Sequence, residues 1–339
     1  MQVLDLFESH RIPNILAAPD DSILAFGASG RLLRRSQDQG RSWSPPQEVG
    51  ADAGGSALVD SATGQILVVN TGGGCLHRSG DHGRTWQREE IAVQPNAVGH
   101  GAPGGVPFQT TCSESGVALR FGARAGRLLV PGRLQPPFGK NDQEWWPYNY
   151  NAAAYSDDGG RTWQVSGPVQ SGTGEGTLAE LASGHIYYNS RCHMAVDHRR
   201  RIAWSYDGGH MWTDWQVADD LFEIGEPFYF KYGTKPSYGC NAGLVRVPDE
   251  AAGGREIVLF STPDNPGKSR IRMTVWASLD GCRSWPVKRL VYEGPSAYSS
   301  LTADRRGNVY LLFERGREQL YETIAVATFR LDWLLGDAA

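Results

Sequence analysis

No block of lysine or arginine and no basic amphipathic stretch occurs in the sequence, and the net charge is −4. That balance argues against nucleic acid or an anionic membrane as the main partner. No apolar run reaches the roughly 18 residues that a membrane-spanning helix needs. The opening MQVLDLFESHRIP has no basic n-region, no apolar h-region and no cleavage site, so a cytoplasmic location is expected. Only five cysteines are present, Cys75, Cys112, Cys192, Cys240 and Cys282, and their spacing matches no metal motif. An odd, dispersed set of this kind fits reduced thiols. The eight histidines form no HExxH pattern, His193 and His198 sit among arginines, and neither a P-loop nor a GxGxxG before a helix occurs. Neither a metal nor a cofactor is therefore expected. Helical periodicity is also missing from every long segment, which leaves strands and turns.

Glycine, proline and tryptophan are plentiful, at 42, 19 and 11 residues, as suits tight turns between short, aromatic-anchored strands. An internal repeat orders them. The pattern Ser-x-Asp-x-Gly-x-x-Trp occurs at Ser36–Trp43, Ser79–Trp86, Ser156–Trp163 and Ser205–Trp212, with a degenerate fifth copy at Ser278–Trp285 in which Cys282 replaces the glycine. Each copy follows a short strand-like run such as GRLLRRS or RRRIAWS, which places it on a strand-to-strand turn. There the aspartate can accept backbone N–H bonds, the glycine can take positive φ and the tryptophan can plug the space between strands. Asp38, Asp81, Asp158, Asp207 and Asp280 thus read as turn staples. The five repeats and a last segment from about Tyr298 to Leu335 predict an all-β, six-bladed β-propeller spanning residues 1–339 as one domain. The N-terminal segment is expected to add a strand to the last blade. The longer inter-repeat stretches, among them EIGEPFYFKYGTKPSYGCN, are expected to wall a central pocket.

Several segments between the repeats carry chemistry. HRIPNIL (His10–Leu16), GRLLVPGR (Gly126–Arg133), GTGEGTLAELASGHIYYNSR (Gly172–Arg191), SRIRMTVWAS (Ser269–Ser278), GPSAYSSL (Gly294–Leu301) and YLLFERG (Tyr310–Gly316) follow one another in order. Together with the repeats, which resemble Asp boxes, this series resembles the sialidase superfamily along nearly the whole chain. The resemblance implies an arginine triad of Arg11, Arg191 and Arg270, a nucleophile at Tyr298, its partner at Glu175, and at Glu314 the carboxylate that braces the first arginine. It also implies a sialoglycan or another acidic-sugar glycoside as substrate. The chemistry of such a substrate explains the residue types. A sialic acid bears a carboxylate on its anomeric carbon, and planar guanidinium groups match that carboxylate with paired donors. A carboxylate nucleophile would be repelled by the same anion, whereas a neutral tyrosine is not. Glu175 would take the phenolic proton.

The sequence departs from the family where the general-acid aspartate is usual, on a loop between the Arg-Ile-Pro motif and the first Asp box. PDDSILAFGASGRLLRRSQDQGRSW runs from one strand almost directly into the next, so that loop is deleted. Asp20 and Asp21 precede the first strand, and Asp38 belongs to the repeat. Three other residues are candidates for the acid: Asp52 in GADAGG, His100 in GHGAPGG and Glu114 in CSESG. The segment after Asn70 is also short, which leaves open a related 2-keto-3-deoxy sugar acid. Trp145–Tyr150 (WWPYNY) is a candidate for stacking on sugar faces. Three functional readings follow: a retaining exo-glycosidase, a propeller that only binds acidic sugars, and a variant that transfers the sugar or releases an anhydro-sugar.

Overall fold

The computed structural model describes residues 1–101, 106–110, 114–135, 148–194, 197–225, 239–266 and 268–336. The β-branched and aromatic runs become antiparallel strands, and the helices among the described residues are short, the α-helices being Asp249–Ala252 and Leu331–Leu335. The first sheet contains Asn14–Ala17, Ile23–Gly27, Leu32–Ser36 and Gln47–Glu48. The second contains Ser56–Val59, Ile66–Asn70, Cys75–Ser79 and Gln87–Glu90. Leu128–Leu134, Tyr150–Ser156 and Thr162–Val165 form the centre of the third, flanked by the short strands Phe108–Gln109, Val117–Ala118 and Ala92–Gln94. Thr173–Glu180, Ile186–Cys192, Arg199–Ser205 and Thr213–Phe222 make the fourth. The remaining sheet runs from Gly243–Arg246 through Val258–Pro263, Ile271–Ser278, Val287–Ala303, Asn308–Arg315 and Thr323–Arg330 to the N-terminal strand Gln2–Glu8.

Five hydrogen-bonded sheets thus stand among the described residues where the repeats predict six blades. The difference has a local cause. Val287–Ala303 is an unbroken 17-residue strand that pairs with Ile271–Ser278 as far as Pro295 and with Asn308–Arg315 from Ser296 onward. Hydrogen bonding therefore runs on from one four-stranded unit into the next. The N-terminal strand pairs with Thr323–Arg330, Gln2 opposite Thr328 and Glu8 opposite Thr323, so the two ends of the chain share a sheet.

Because successive side chains of a strand face opposite ways, each sheet supplies apolar residues to both neighbours. Leu16, Leu24 and Phe26 of the first sheet pack on Ala57, Ile66 and Val68 of the second. Leu67 and Leu76 then meet Leu128, Val130 and Trp163. On the other face of the third sheet, Leu129 and Ala153 meet Leu178, Tyr188 and Trp212. Tyr187 and Ile202 meet Leu244, Phe260 and Trp276. Leu259, Met273 and Val275 meet Leu311, Phe313 and Ala325. Finally Tyr310, Leu312 and Val326 meet Ile15, Ile23 and Ala25 of the first sheet.

All five Ser-x-Asp turns share one wiring. The serine Oγ donates to the aspartate and accepts the N–H four residues on, from Gly40, Gly83, Gly160, Gly209 or Cys282. The aspartate accepts the N–H of Ser42, Thr85, Thr162, Met211 or Ser284. Cys282 takes the glycine's place at φ 66°, the left-handed region, with its thiol buried among Tyr187, Phe260 and Trp285. Ser156→Ala removes the acceptor of the buried Gly160 N–H, and the unmet donor costs about 1–3 kcal/mol. The expected outcome is a lower urea midpoint at unchanged m-value, with turnover per folded molecule unaltered.

Candidate active site

Two buried carboxylates organise the site. Glu314, on Asn308–Arg315, is fully buried and accepts Nε and Nη2 of Arg11 at 3.1 and 3.3 Å, a paired contact that fixes the guanidinium plane. The same carboxylate accepts the backbone N–H of Ile12 at 2.9 Å and of Tyr298 at 3.2 Å. Ile12 stands at φ 65°, a costly conformation for a β-branched residue, and the bond to Glu314 helps hold it there. Arg11 keeps 43% of its side chain exposed, so a ligand can reach its free edge.

Glu175, on Thr173–Glu180, is the second carboxylate, with 7% of its side chain exposed. The Tyr298 hydroxyl donates to its Oε1, Arg191 Nη1 donates to Oε2 at 2.5 Å, and Arg133 Nη1 reaches Oε1 at 3.4 Å. Arg191 Nη1 also donates to the Tyr298 oxygen at 3.1 Å, closing a triangle of phenol, carboxylate and guanidinium. Arg270 donates to the Tyr321 hydroxyl at 2.9 Å and to the Gly239 carbonyl at 3.0 Å. Its guanidinium carbon lies 5.8 Å from the centre of the Tyr298 ring, and that of Arg11 lies 5.1 Å away. Arg11 also stacks on Tyr321 at 3.9 Å.

The electrostatics follow from this packing. Burial opposes ionisation of Glu175, but the charges of Arg191 and then Arg133 outweigh it and hold the carboxyl well below its ordinary range. Burial, reinforced by the Glu175 charge, pushes the Tyr298 phenol well above its ordinary value despite Arg191 and Arg270. A carboxylate and a neutral phenol therefore coexist, hydrogen-bonded, across the neutral pH range. Four guanidinium groups against the carboxylates of Glu175 and Glu314 make the described part of the site cationic, suited to an anionic ligand. His193 lies beside the cluster and is kept neutral by burial and by Arg191. A Cβ on Gly174 would come within 2.1 Å of its Nε2, so the strand that carries Glu175 needs a glycine there.

Arg11, Arg191, Arg270, Tyr298, Glu175 and Glu314 all converge, as the motifs predict. Each of the three candidates for the acid has other partners among the described residues. Glu114 is fully buried and accepts the N–H of Gly176 at 2.6 Å, pinning the strand behind Glu175. Asp52 accepts Arg88 Nε at 2.6 Å, and that contact keeps its carboxyl ionised by lowering its pKa. His100 is tied to the Tyr150 hydroxyl at 2.5 Å and to the Asn96 turn. Where the family's acid-bearing loop would be, Gly27 and Leu32 are linked by a tight turn with Ala28 and Ser29 at φ 51° and 60°, and it carries no carboxyl group. Asp20 pairs with Arg35, and Asp21 with Arg306. Cys112, Trp145, Trp146 and most of the stretch from Glu223 to Asn241 lie outside the described residues.

Arg133 and Tyr321 belong to the cluster and were not singled out by the sequence. Arg133 ends the quoted GRLLVPGR run, but an arginine at a strand end carries no further signal. Tyr321 follows YLLFERG by only five residues, within reach of a search for aromatics flanking the Glu314 strand.

Known proteins resemble this chain in sequence and in fold. The model of the BNR repeat-like domain family matches residues 67–311. A sialidase from Micromonospora viridifaciens is 30% identical over 98% of this chain, which spans 53% of that protein's length. The solved structure of the Hadza microbial sialidase Hz136 superposes with a TM-score of 0.71 at 23% identity, covering 96% of this chain and 66% of the other. The intramolecular trans-sialidase from Ruminococcus gnavus superposes with a TM-score of 0.71 at 15% identity, covering 97% and 96% of the two chains. With its repeats, its all-β sheets and its matched length in agreement, the chain belongs to the BNR repeat-like family within the sialidase superfamily.

Proposed function

We propose that this protein is a retaining exo-glycosidase that removes a terminal sialic acid, or a related 2-keto-3-deoxy sugar acid, from a glycan. The observation that carries the reading is the buried triangle of Tyr298, Glu175 and Arg191. A phenol that hydrogen-bonds to an ionised carboxylate in a cationic pocket is a neutral nucleophile with its base already in place. Arg11, Arg191 and Arg270 take the substrate carboxylate. The Tyr298 oxygen bonds to the anomeric carbon as the bond to the aglycone oxygen breaks, and the phenolic proton passes to Glu175. The departing aglycone oxygen takes a proton from solvent. Water then displaces the tyrosine from the same carbon and gives a proton back to solvent, Glu175 returns its proton to the phenolate, and two inversions give net retention. Glu314 acts on Arg11 and on the Tyr298 backbone and does not touch the sugar.

The turn Ala28–Arg31 supports a reading in which the propeller binds acidic sugars without cleaving them, because no acid is offered there to the leaving group. The Tyr298–Glu175 pair favours the enzyme, since a binding site has no use for an activated phenol. We also infer six blades for the fold. The unbroken strand Val287–Ala303 divides at Pro295–Ser296 into two four-stranded units, and the six interfaces between successive units return from the last to the first.

Release of 4-methylumbelliferone from the aryl α-glycoside of N-acetylneuraminic acid tests the proposal, because an aryl leaving group needs little help from an acid. Wild type is expected to release it, Tyr298→Phe to lose the activity, and Glu175→Gln to retain less than about one part in 10². Wild-type binding of the free sugar without release would support the binding-only reading. The pH profile gives an independent check. Arg133→Met removes a cation that lowers the Glu175 pKa, so burial regains weight and the carboxyl protonates at higher pH. The acidic limb of kcat/KM, which reports the free enzyme, is expected to move to higher pH while the basic limb stays in place. An unmoved acidic limb would exclude Glu175 as the base.

A further inference from the structure

Apart from the arginine cluster, the second sheet assembles another set of reactive side chains. Cys75 and His77 are alternate residues of one strand and share a face of the sheet. On the adjoining strand Glu90 stands opposite Cys75, and Arg88 opposite His77. The loop between the first and second sheets lays Asp52 over this face. Its Oδ1 lies 3.3 Å from His77 Nε2, and its Oδ2 lies 3.6 Å from Cys75 Sγ. One donor atom from each of Asp52, Cys75 and His77 falls within 4.8 Å of the other two.

Three features distinguish the cluster from ordinary packing. His77 is 3% exposed, and its buried Nδ1 finds no hydrogen-bond partner among the described residues, so its polar engagement there is on the Nε2 side, toward Asp52. The loop reaches the imidazole through Gly50, where a Cβ would lie 2.3 Å from His77 Nε2. Arg88 donates to Asp52 Oδ2 at 2.6 Å and leaves Oδ1, the oxygen nearer the imidazole, free of that contact.

We propose that Asp52, Cys75 and His77 form a binding site for a divalent cation of borderline softness, Zn²⁺ above all. Thiolate, imidazole and carboxylate together are a zinc-type donor set, whereas Mg²⁺ and Ca²⁺ take oxygen donors. Arg88 supplies the hydrogen bond that a ligating carboxylate commonly receives on its second oxygen. Water, or Glu90 once released from its 2.5 Å contact with Arg88, completes the coordination. Binding exchanges the thiol proton for the metal and staples the Val49–Gly55 loop to the hairpin. That loop borders the site: a Cβ on Gly54 would lie 3.6 Å from the Ser29 carbonyl, and the Ser29 N–H donates to the Arg11 carbonyl at 3.1 Å. The spacing of cysteines and histidines along the chain gave no hint of this set, because the third donor comes from a separate loop.

Co²⁺ and Zn²⁺ titrations of the EDTA-stripped protein, in a Cys112→Ser background, test the proposal. Co²⁺ is expected to bind one to one and to produce a near-ultraviolet thiolate-to-cobalt charge-transfer band that Zn²⁺ abolishes by displacement. The band should vanish in Cys75→Ser, and Zn²⁺ affinity should fall at least about tenfold in His77→Gln and Asp52→Asn. Zn²⁺ should also raise the melting temperature of the background protein but not that of Cys75→Ser. Asp52 is solvent-exposed, so Asp52→Asn keeps the test open if a core variant does not fold. Absence of the band in the background protein, or a band and a Zn²⁺ affinity that survive Cys75→Ser, overturns the proposal.

Discussion

A carboxylate removed from water must find cations or donors, or else give up its charge. Glu175 and Glu314 meet that demand with arginines, a phenol and backbone N–H groups. Glu314 ties Arg11, the Ile12 backbone and the Tyr298 backbone into one unit, joining the entrance to the first sheet with the long strand Val287–Ala303. Glu175 joins Arg191 and Arg133 from two sheets to the Tyr298 hydroxyl. Removing either anion would leave guanidinium groups crowded against one another, so the cluster stands or falls together.

The scaffold makes this convergence possible. Each unit of the fold packs its two faces against its neighbours, and the Ser-x-Asp turns lock strand ends without using any residue of the site. Residues far apart in sequence, such as Arg11 and Glu314, are thereby held within hydrogen-bond distance by strands whose own register leaves little slack. The cost of a strained Ile12 and of several buried charges is spread over a core in which most strand residues are inaccessible to water.

Much of this was legible in the chain. The Ser-x-Asp repeats predicted the turns, down to the odd Cys282 copy, because their wiring is local and uses side chains four residues apart. The six converging residues were legible through their motifs. What escaped were features set by three-dimensional proximity alone. Arg133 and Tyr321 join the site from positions with no local signature, and the merging of two units depends on one strand failing to break at Pro295. Asp52 was a candidate for the acid, yet Arg88 and His77 engage it, and neither partner can be inferred from GADAGG. Glu114, a candidate for the acid in the sequence, is fully buried and accepts the Gly176 N–H.

The central claim of the account is that Tyr298, with Glu175 as its base, bonds covalently to the anomeric carbon. The most direct test is to incubate the protein with 2,3-difluorosialic acid and to map any adduct by peptide mass spectrometry. The account predicts one sugar per chain, carried on Tyr298 and absent from Glu175→Gln treated for the same time. An adduct on a carboxylate, or a catalytically active preparation that accumulates none, would contradict it.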